Sequence, residues 1–224
     1  MTRLLAILAV YLACISPAAA GAWLREKGAG FMAAGVVVRD MDPYPGYETK
    51  IYTEYGLRKW LTIGFDINEN TAPRGSVGHA VAFLRLPILG GDSQTRVSFE
   101  LGAGVHHIDL FRDRMAKATL AVGRGFSSPW GHGWFDLQAA YEDRKGIELP
   151  VYKFDGTIGL SADRTWNPLL AFESYYIEDE EVRWTLTPAV SLKTKRGGTW
   201  ILGLERKRAF EDTLGFRLEL WRNF

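Results

Sequence analysis

The sequence has almost no cysteine: Cys14 is the only one among 224 residues. A single thiol can form no internal disulfide and offers no cysteine-based metal site. Only four histidines are present, and their spacing matches no metal-ligand motif, so the sequence predicts neither a metal nor a cofactor. We therefore expect a fold that is held together by backbone pairing and by burial of apolar surface.

An excess of either charge is also missing, since 27 Lys and Arg residues oppose 26 Asp and Glu residues. A nucleic-acid-binding protein needs a basic surplus, so this balance argues against nucleic acid as a partner. Disorder is disfavoured as well, because 47% of the residues are hydrophobic and 13% are aromatic. The 24 glycines that accompany these aromatic residues are more typical of an all-β chain than of a helical one.

The start of the chain lacks the roughly 20 apolar residues that a membrane-spanning helix requires. A shorter apolar run over residues 4–15 follows Arg3 and ends before Pro17, and three alanines occupy positions 18–20. This is the layout of a secretory signal peptide, which we predict over residues 1–20. Acylation of Cys14 is the alternative, but a better small-residue cleavage site follows it. Removal of residues 1–20 leaves a mature chain without cysteine.

From Gly21 onward, apolar and polar residues alternate with a period of two, which is the pattern of β-strands. In residues 182–193, for example, Leu186 and Val190 share the apolar face, whereas Thr187 lies on the other face. Clusters of Pro, Gly, Asp and Ser separate the alternating segments and predict successive hairpins. The twelve predicted strands, with boundaries good to about 2–4 residues, are 28–39, 47–57, 60–70, 78–88, 94–107, 115–124, 133–142, 150–161, 168–178, 182–194, 199–208 and 212–224.

Alternation alone does not say whether the apolar face meets a soluble core or lipid. Three features favour lipid. The polar faces mix glycine with charged residues, whereas glycine weakens a solvent-exposed strand. The strands are about 10 residues long, as a tilted membrane-spanning strand requires, whereas soluble strands average about 5–6. Seven of the eight tryptophans lie near the predicted periplasmic end, as an interfacial belt would: Trp23, Trp60, Trp130, Trp134, Trp166, Trp200 and Trp221.

Loop lengths bear on the orientation of such a chain, because the outer loops of membrane-spanning β-barrels are normally longer than the periplasmic turns. Here they give a mixed indication. The predicted outer loop 69–77 is longer than the inner turns 56–59 and 90–93, as expected. The predicted inner turn 126–133 is long, which contradicts the trend. Taken together, the patterns predict an all-β fold over residues 21–224: a closed antiparallel up-and-down transmembrane β-barrel of about twelve strands.

The last ten residues, 215–224, carry a recognisable pattern. Phe224 ends the chain, and apolar residues occupy alternate positions at Phe216, Leu218 and Leu220. This segment resembles the terminal strand of Gram-negative outer-membrane β-barrels, although Arg222 departs from the usual apolar residue. The resemblance implies an outer-membrane location and recognition by the barrel assembly machinery, with lipid and lipopolysaccharide as neighbours. Twelve strands and this length are also similar to those of small outer-membrane channels.

Strand parity predicts a lumen lined by charges of both signs. Glu205 and Arg217 would lie opposite each other if the last hairpin turns at Glu211. Such pairs serve equally as a selectivity filter or as a structural charge ladder. The predicted lumen residues are Glu54, Asp66, Arg85, Arg96, Glu100, Lys117, Asp136, Lys153, Asp155, Glu173, Arg183, Glu205, Lys207, Arg217 and Glu219.

The function predicted from these features is passive passage of small hydrophilic solutes, without catalysis. A structural or surface-interaction barrel with a plugged lumen is the alternative. A third possibility is an outer-membrane lipid hydrolase, which would need a serine and a histidine with an orienting group. The adjacent His106 and His107 point to opposite faces of one strand, so they cannot easily serve one site. The sequence therefore predicts no catalytic residue.

Overall fold

The computed structural model describes residues 21–90 and 93–224, and the predicted signal peptide lies outside the described residues. No helix in the described part of the chain is long and apolar enough to cross a membrane. Twelve strands are present: β1 (Gly30–Arg39), β2 (Gly46–Arg58), β3 (Leu61–Ala72), β4 (Gly75–Leu89), β5 (Thr95–Ile108), β6 (Phe111–Ser128), β7 (Gly131–Arg144), β8 (Val151–Leu160), β9 (Trp166–Ile177), β10 (Arg183–Lys193), β11 (Gly198–Arg208) and β12 (Asp212–Asn223).

The strands form a closed antiparallel barrel in which each strand pairs with its sequence neighbours and β1 pairs with β12. Gly30 and Phe224 close this seam, because each backbone amide donates to the other residue's carbonyl, at 2.6 and 3.0 Å. We call the end of the barrel that carries these two residues the proximal end, and the opposite end the distal end. The predicted fold class and strand count are confirmed.

The two faces of the wall have opposite chemistry. Leu186 and Thr187 are neighbours in β10, yet Leu186 is 39% exposed on the outside and Thr187 is 1% exposed on the inside. Along the other strands, the outer surface likewise carries large exposed apolar side chains, such as Phe65, Leu101 and Leu204. Most of the buried residues are polar or charged. A wall that is apolar outside and polar inside suits a lipid environment.

β6 is much longer than its sequence pattern indicates. Alternation predicts residues 115–124, whereas the strand runs from Phe111 to Ser128. Gly123 and Gly125 interrupt the side-chain alternation, but their backbones still pair with Asp136 and Trp134. The turn that follows is therefore two residues long instead of the predicted 126–133 segment.

The predicted difference in loop length is wrong for the distal end. β3 continues to Ala72 and β4 begins at Gly75, so the turn between them contains Pro73 and Arg74 only, not residues 69–77. Backbone pairing such as Asn70 with Val77 extends beyond the apolar alternation. Loop length therefore does not distinguish the two ends of this barrel.

The expected belt of seven tryptophans is also wrong in part. Trp60, Trp130, Trp166 and Trp200 do lie exposed near the proximal end. The other three point into the barrel: Trp134 is buried with Leu169 and Ala171, and Trp23 and Trp221 pack against this cluster. Strand parity turns the Trp134 and Trp221 side chains inward, whereas Trp23 lies in the segment that precedes β1.

Candidate functional site: the charged lumen

A chain of ion pairs lines the distal half of the lumen. Arg39, at the end of β1, pairs with Glu48 of β2 and, at 2.6 Å, with Glu205 of β11. Glu205 also accepts a hydrogen bond at 3.2 Å from Arg217 of β12. The Arg217–Glu205 pair thus forms as predicted, but diagonally. The hairpin turns at Phe210, so Glu205 lies opposite Gly215 and Gly203 lies opposite Arg217.

Near mid-height, one ion pair crosses most of the lumen. Lys50 of β2 contacts Glu173 of β9 at 2.9 Å, although five strand-to-strand steps separate them around the wall. Arg217 contacts the same carboxylate at 2.9 Å. Asp155 is the register partner of Glu173 on β8, and no cationic side chain of the described residues lies within 4.0 Å of it. Glu219 accepts a hydrogen bond from the Trp221 indole at 2.7 Å.

A cavity of about 170 Å³ adjoins this crossing. Lys50, Glu173 and Arg217 line it together with apolar side chains such as Leu169 and Ile201. The side chains of Lys50 and Glu173 remain 31% and 36% exposed although both point into the barrel. The middle of the lumen therefore contains space that water can reach.

A second ionic cluster lies in the proximal half. Arg85 of β4 pairs with Glu54 of β2 and, at 2.7 Å, with Glu100 of β5. The Tyr52 hydroxyl donates to Glu54 at 2.5 Å and accepts from Arg85 at 2.6 Å. Arg25, which precedes β1, completes the cluster by pairing with Glu54. Each carboxylate here has a cationic partner, as buried charges require.

A third group of charges lies on the part of the wall between β3 and β8. Lys117 of β6 contacts Asp66 of β3 at 3.2 Å, and His79 lies 3.4 Å from the same carboxylate. Lys153 of β8 contacts the buried Glu142 of β7 at 3.0 Å. The Lys153–Glu142 pair joins adjacent strands, and the Lys117–Asp66 pair joins strands that are three steps apart in the wall. Unlike the Lys50–Glu173 pair, they do not span the lumen.

The segment before β1 lies inside the proximal end of the lumen. The Ala22 amide donates to Asp136 at 2.8 Å, and the Arg25 amide donates to the Thr62 hydroxyl at 2.9 Å. Asp136 lies on β7 and Thr62 on β3, so residues 21–27 cross from one side of the barrel to the other. Ala22 is fully buried. This segment shows no alternation, so parity could not have predicted its position.

The remaining predicted lumen residues lie nearer the rims. Arg183 is at the distal end, where its guanidinium contacts Glu180 at 2.5 Å and stacks on the Phe210 ring at 3.9 Å. Arg96 is partly buried near the start of β5 and shares its strand face with the buried Ser98. Lys207 reaches Glu48 at 3.8 Å.

The charged lumen residues that the prediction missed include Arg25, Arg39, Glu48, Lys50 and Glu142. Glu48 and Lys50 have the same parity as Glu54 in β2, so extending that face towards the strand start would have found them. Arg39 and Glu142 lie near strand ends, where the apolar alternation fades.

The C-terminal residues lie on the outside of β12. Phe216 and Phe224 are exposed, and Leu218 and Leu220 are half-buried on the same face. The Phe224 ring lies directly over Gly30, where a side chain would collide with it. Whether these residues are read by the assembly machinery stays a prediction.

The structure offers little support for a hydrolytic site. A serine–histidine contact exists, between Ser127 Oγ and His132 Nδ1 at 3.2 Å, but it lies exposed in the proximal turn after β6. No carboxylate of the described residues lies within 4.0 Å of this histidine. His106 is buried against the Lys145 carbonyl, and His107 pairs with Glu69 at 2.6 Å. In the described ranges, no three His, Cys, Asp or Glu side chains are placed to hold a metal ion.

Neither a protein-family model nor a curated protein sequence matches the chain. Solved structures do match it. The KdgM porin aligns with a TM-score of 0.59 at 9% identity, over 87% of this chain and 99% of that one. The NanC porin aligns with a TM-score of 0.62 at 10% identity, over 84% and 98%. LpxR from Salmonella typhimurium aligns with a TM-score of 0.56 at 7% identity, over 86% and 99%.

Identities this low show the fold alone. The class that the architecture defines is a closed twelve-stranded β-barrel of the outer-membrane type. Within that class, the chain shares the fold of small porins.

Proposed function

We propose that this protein is an outer-membrane barrel that lets small hydrophilic solutes pass through a narrow, mixed-charge lumen. The observation that carries the proposal is the solvent-accessible crossing of Lys50, Glu173 and Arg217. One water needs about 10–15 Å³ of such cavity volume, so the 170 Å³ cavity beside these groups has room for several waters. Ionised side chains that keep contact with water can replace part of a solute's hydration shell.

The charge pattern favours weak selectivity. Glu173 is shared by two cations, whereas Asp155 beside it has no ion-pair partner within the described part of the chain. A passing solute thus meets both signs at one height. The KdgM porin has been solved in complex with disordered oligogalacturonate, so a barrel of this fold binds a hydrophilic chain.

Single-channel recording in planar bilayers tests the proposal. We expect discrete conductance steps from the mature protein and a reversal potential near zero in a salt gradient. Glu173→Gln should shift the reversal potential towards anion preference, because it leaves Lys50 and Arg217 less compensated. Glu178→Gln removes the same charge from an exposed distal loop and should leave the potential unchanged. Absence of any conductance above background would refute the proposal.

A barrel closed by its own N-terminal segment is the second candidate. Residues 21–27 lie across the proximal end of the lumen and would narrow it, which favours a structural role. This candidate would be supported if the protein gives no conductance in bilayers although its heat-modifiable gel migration shows that it is folded. A hydrolase has no comparable support, because the one serine–histidine contact in the described chain lies in an exposed turn.

The proposed location adds partners outside the lumen. The apolar outer face would contact outer-membrane lipid, and the proximal end would face the periplasm. Arg112, Arg114 and Lys145 lie at or near the distal rim, where lipopolysaccharide phosphates would lie. Recognition of the last strand by the barrel assembly machinery belongs to the same proposal.

A further inference from the structure

Asp136 is a buried carboxylate without a cationic partner. It is 6% exposed and faces the lumen from β7. It accepts hydrogen bonds from the Ala22 amide at 2.8 Å and from the Gln138 side chain at 2.7 Å. No Lys, Arg or His side chain of the described residues lies within 4.0 Å of it. Other interior carboxylates, such as Glu54 and Glu205, each contact two arginines.

The backbone of Gly21 is the group that lies against this carboxylate. A side-chain Cβ on Gly21 would lie 2.2 Å from an Asp136 oxygen. The Gly21 nitrogen is bonded to the same Cα, so it lies within about 5 Å of that oxygen. Gly21 has a φ of 90°, which L side chains rarely adopt, and its carbonyl is 3.5 Å from the Ser98 hydroxyl.

The barrel wall is shaped to receive the residues that follow Gly21. A Cβ on Gly123 would collide with the Trp23 ring at 2.3 Å and with Ala22 at 2.9 Å. A Cβ on Gly56 would lie 1.9 Å from the Glu26 carbonyl. The Gly28 amide donates to the Gly56 carbonyl at 2.8 Å. The glycines at positions 123 on β6 and 56 on β2 thus leave the space that residues 22–26 occupy.

We propose that Asp136 is the binding site for the α-ammonium of Gly21, which removal of residues 1–20 creates. Hydrolysis of the Ala20–Gly21 amide consumes one water and leaves a carboxylate on Ala20 and an ammonium on Gly21. In the unprocessed chain the same nitrogen is an uncharged amide. Processing therefore supplies the cation that Asp136 lacks and fastens residues 21–27 in the lumen.

This site goes beyond the passage of solutes and does not depend on it. The guanidinium of Arg85 pairs with Glu54 and Glu100 and makes no ion pair with Asp136 within 4.0 Å. A carboxylate left buried without a counter-charge destabilises the folded state. A free N-terminal ammonium at this position removes that cost without adding a side chain, which the space around Gly21 would not accept.

Labelling of the N-terminal amine tests the site on mature protein purified from membranes. Intact mass must first show a chain that begins at Gly21. Reductive methylation near neutral pH should then modify the α-amine at least tenfold more slowly in the wild type than in Asp136→Asn. Asp155→Asn removes another interior carboxylate without an ion pair and should label like the wild type. A different mature N-terminus, or equal rates in wild type and Asp136→Asn, would overturn the proposal.

A second variant covers the case in which Asp136→Asn does not fold. Gly56→Ala keeps Asp136 but forces the segment away at Glu26. We expect faster methylation and faster tryptic cleavage after Arg25 and Lys27. Gly125→Ala is the control, because its Cβ would meet nothing nearer than a carbonyl at 3.8 Å. Unchanged labelling and cleavage in folded Gly56→Ala would contradict a seated N-terminus, whatever the conductance of the barrel.

Discussion

The contribution of lumen charges to stability depends on burial more than on distance, and two ion pairs allow this to be measured. Arg39–Glu205 and Arg206–Asp212 both have a shortest N–O distance of 2.6 Å. The first pair has side-chain exposures of 4% and 0%, and the second 59% and 49%. Glu205→Gln should lower the free energy of unfolding by about 3–5 kcal/mol, because it strips buried arginines of a counter-charge.

Guanidinium unfolding in lipid vesicles is the assay. With an m-value of about 4 kcal/mol/M, the expected loss moves the midpoint down by roughly 1 M. Asp212→Asn should leave the unfolding midpoint the same as that of the wild type, because water and salt screen an exposed pair. The double variant Arg39→Met/Glu205→Leu should recover much of the loss by removing both charges of the pair, because Glu48 keeps Lys50 and Arg217 keeps Glu173 as partners. Equal shifts for Glu205→Gln and Asp212→Asn would refute the reasoning.

Two further predictions concern the wall and the last strand. Leu186→Arg places a charge on the lipid face of β10 and should destabilise the barrel by about 2–4 kcal/mol. Ala189→Arg points into the central cavity and should cost less in the same vesicle-unfolding assay; the reverse order would mean that the two faces are exchanged. Deletion of Phe224 should reduce the heat-modifiable fraction in outer membranes, whereas Asn223→Ala should not, and normal assembly without Phe224 would contradict its role as an assembly signal.

The sequence predicted the wall well because the wall obeys one local rule. A period of two assigns each side chain to one face, as Leu186 and Thr187 show. Predicted lumen residues such as Arg85, Glu100 and Arg217 therefore lie inside with ionic partners. Parity gives the face of a residue, but not its partner across the barrel. The Lys50–Glu173 contact depends on closure of all twelve strands, which no local pattern contains.

The rest escaped prediction for identifiable reasons. β6 was underestimated because Gly123 and Gly125 carry no side chain to show which face they occupy, although their backbones pair normally. The N-terminal segment was missed because it is not a strand. It is held by contacts such as Ala22 with Asp136, more than one hundred positions away in sequence.

The positions of the tryptophans allow the outside and the inside of the barrel to be distinguished by fluorescence. Five indoles lie on the outside, because Trp184 shares the outer face of β10 with Leu186. Brominated acyl chains should quench Trp60, Trp130, Trp166, Trp184 and Trp200. The Trp134 and Trp221 rings are 6.4 Å apart inside the wall, and Trp23 packs against the cluster that contains Trp134, so lipid-borne quenchers cannot reach them. The residual emission in brominated lipid is then an optical signal of the interior. Because Trp23 belongs to the N-terminal segment, that signal reports whether the segment is in place.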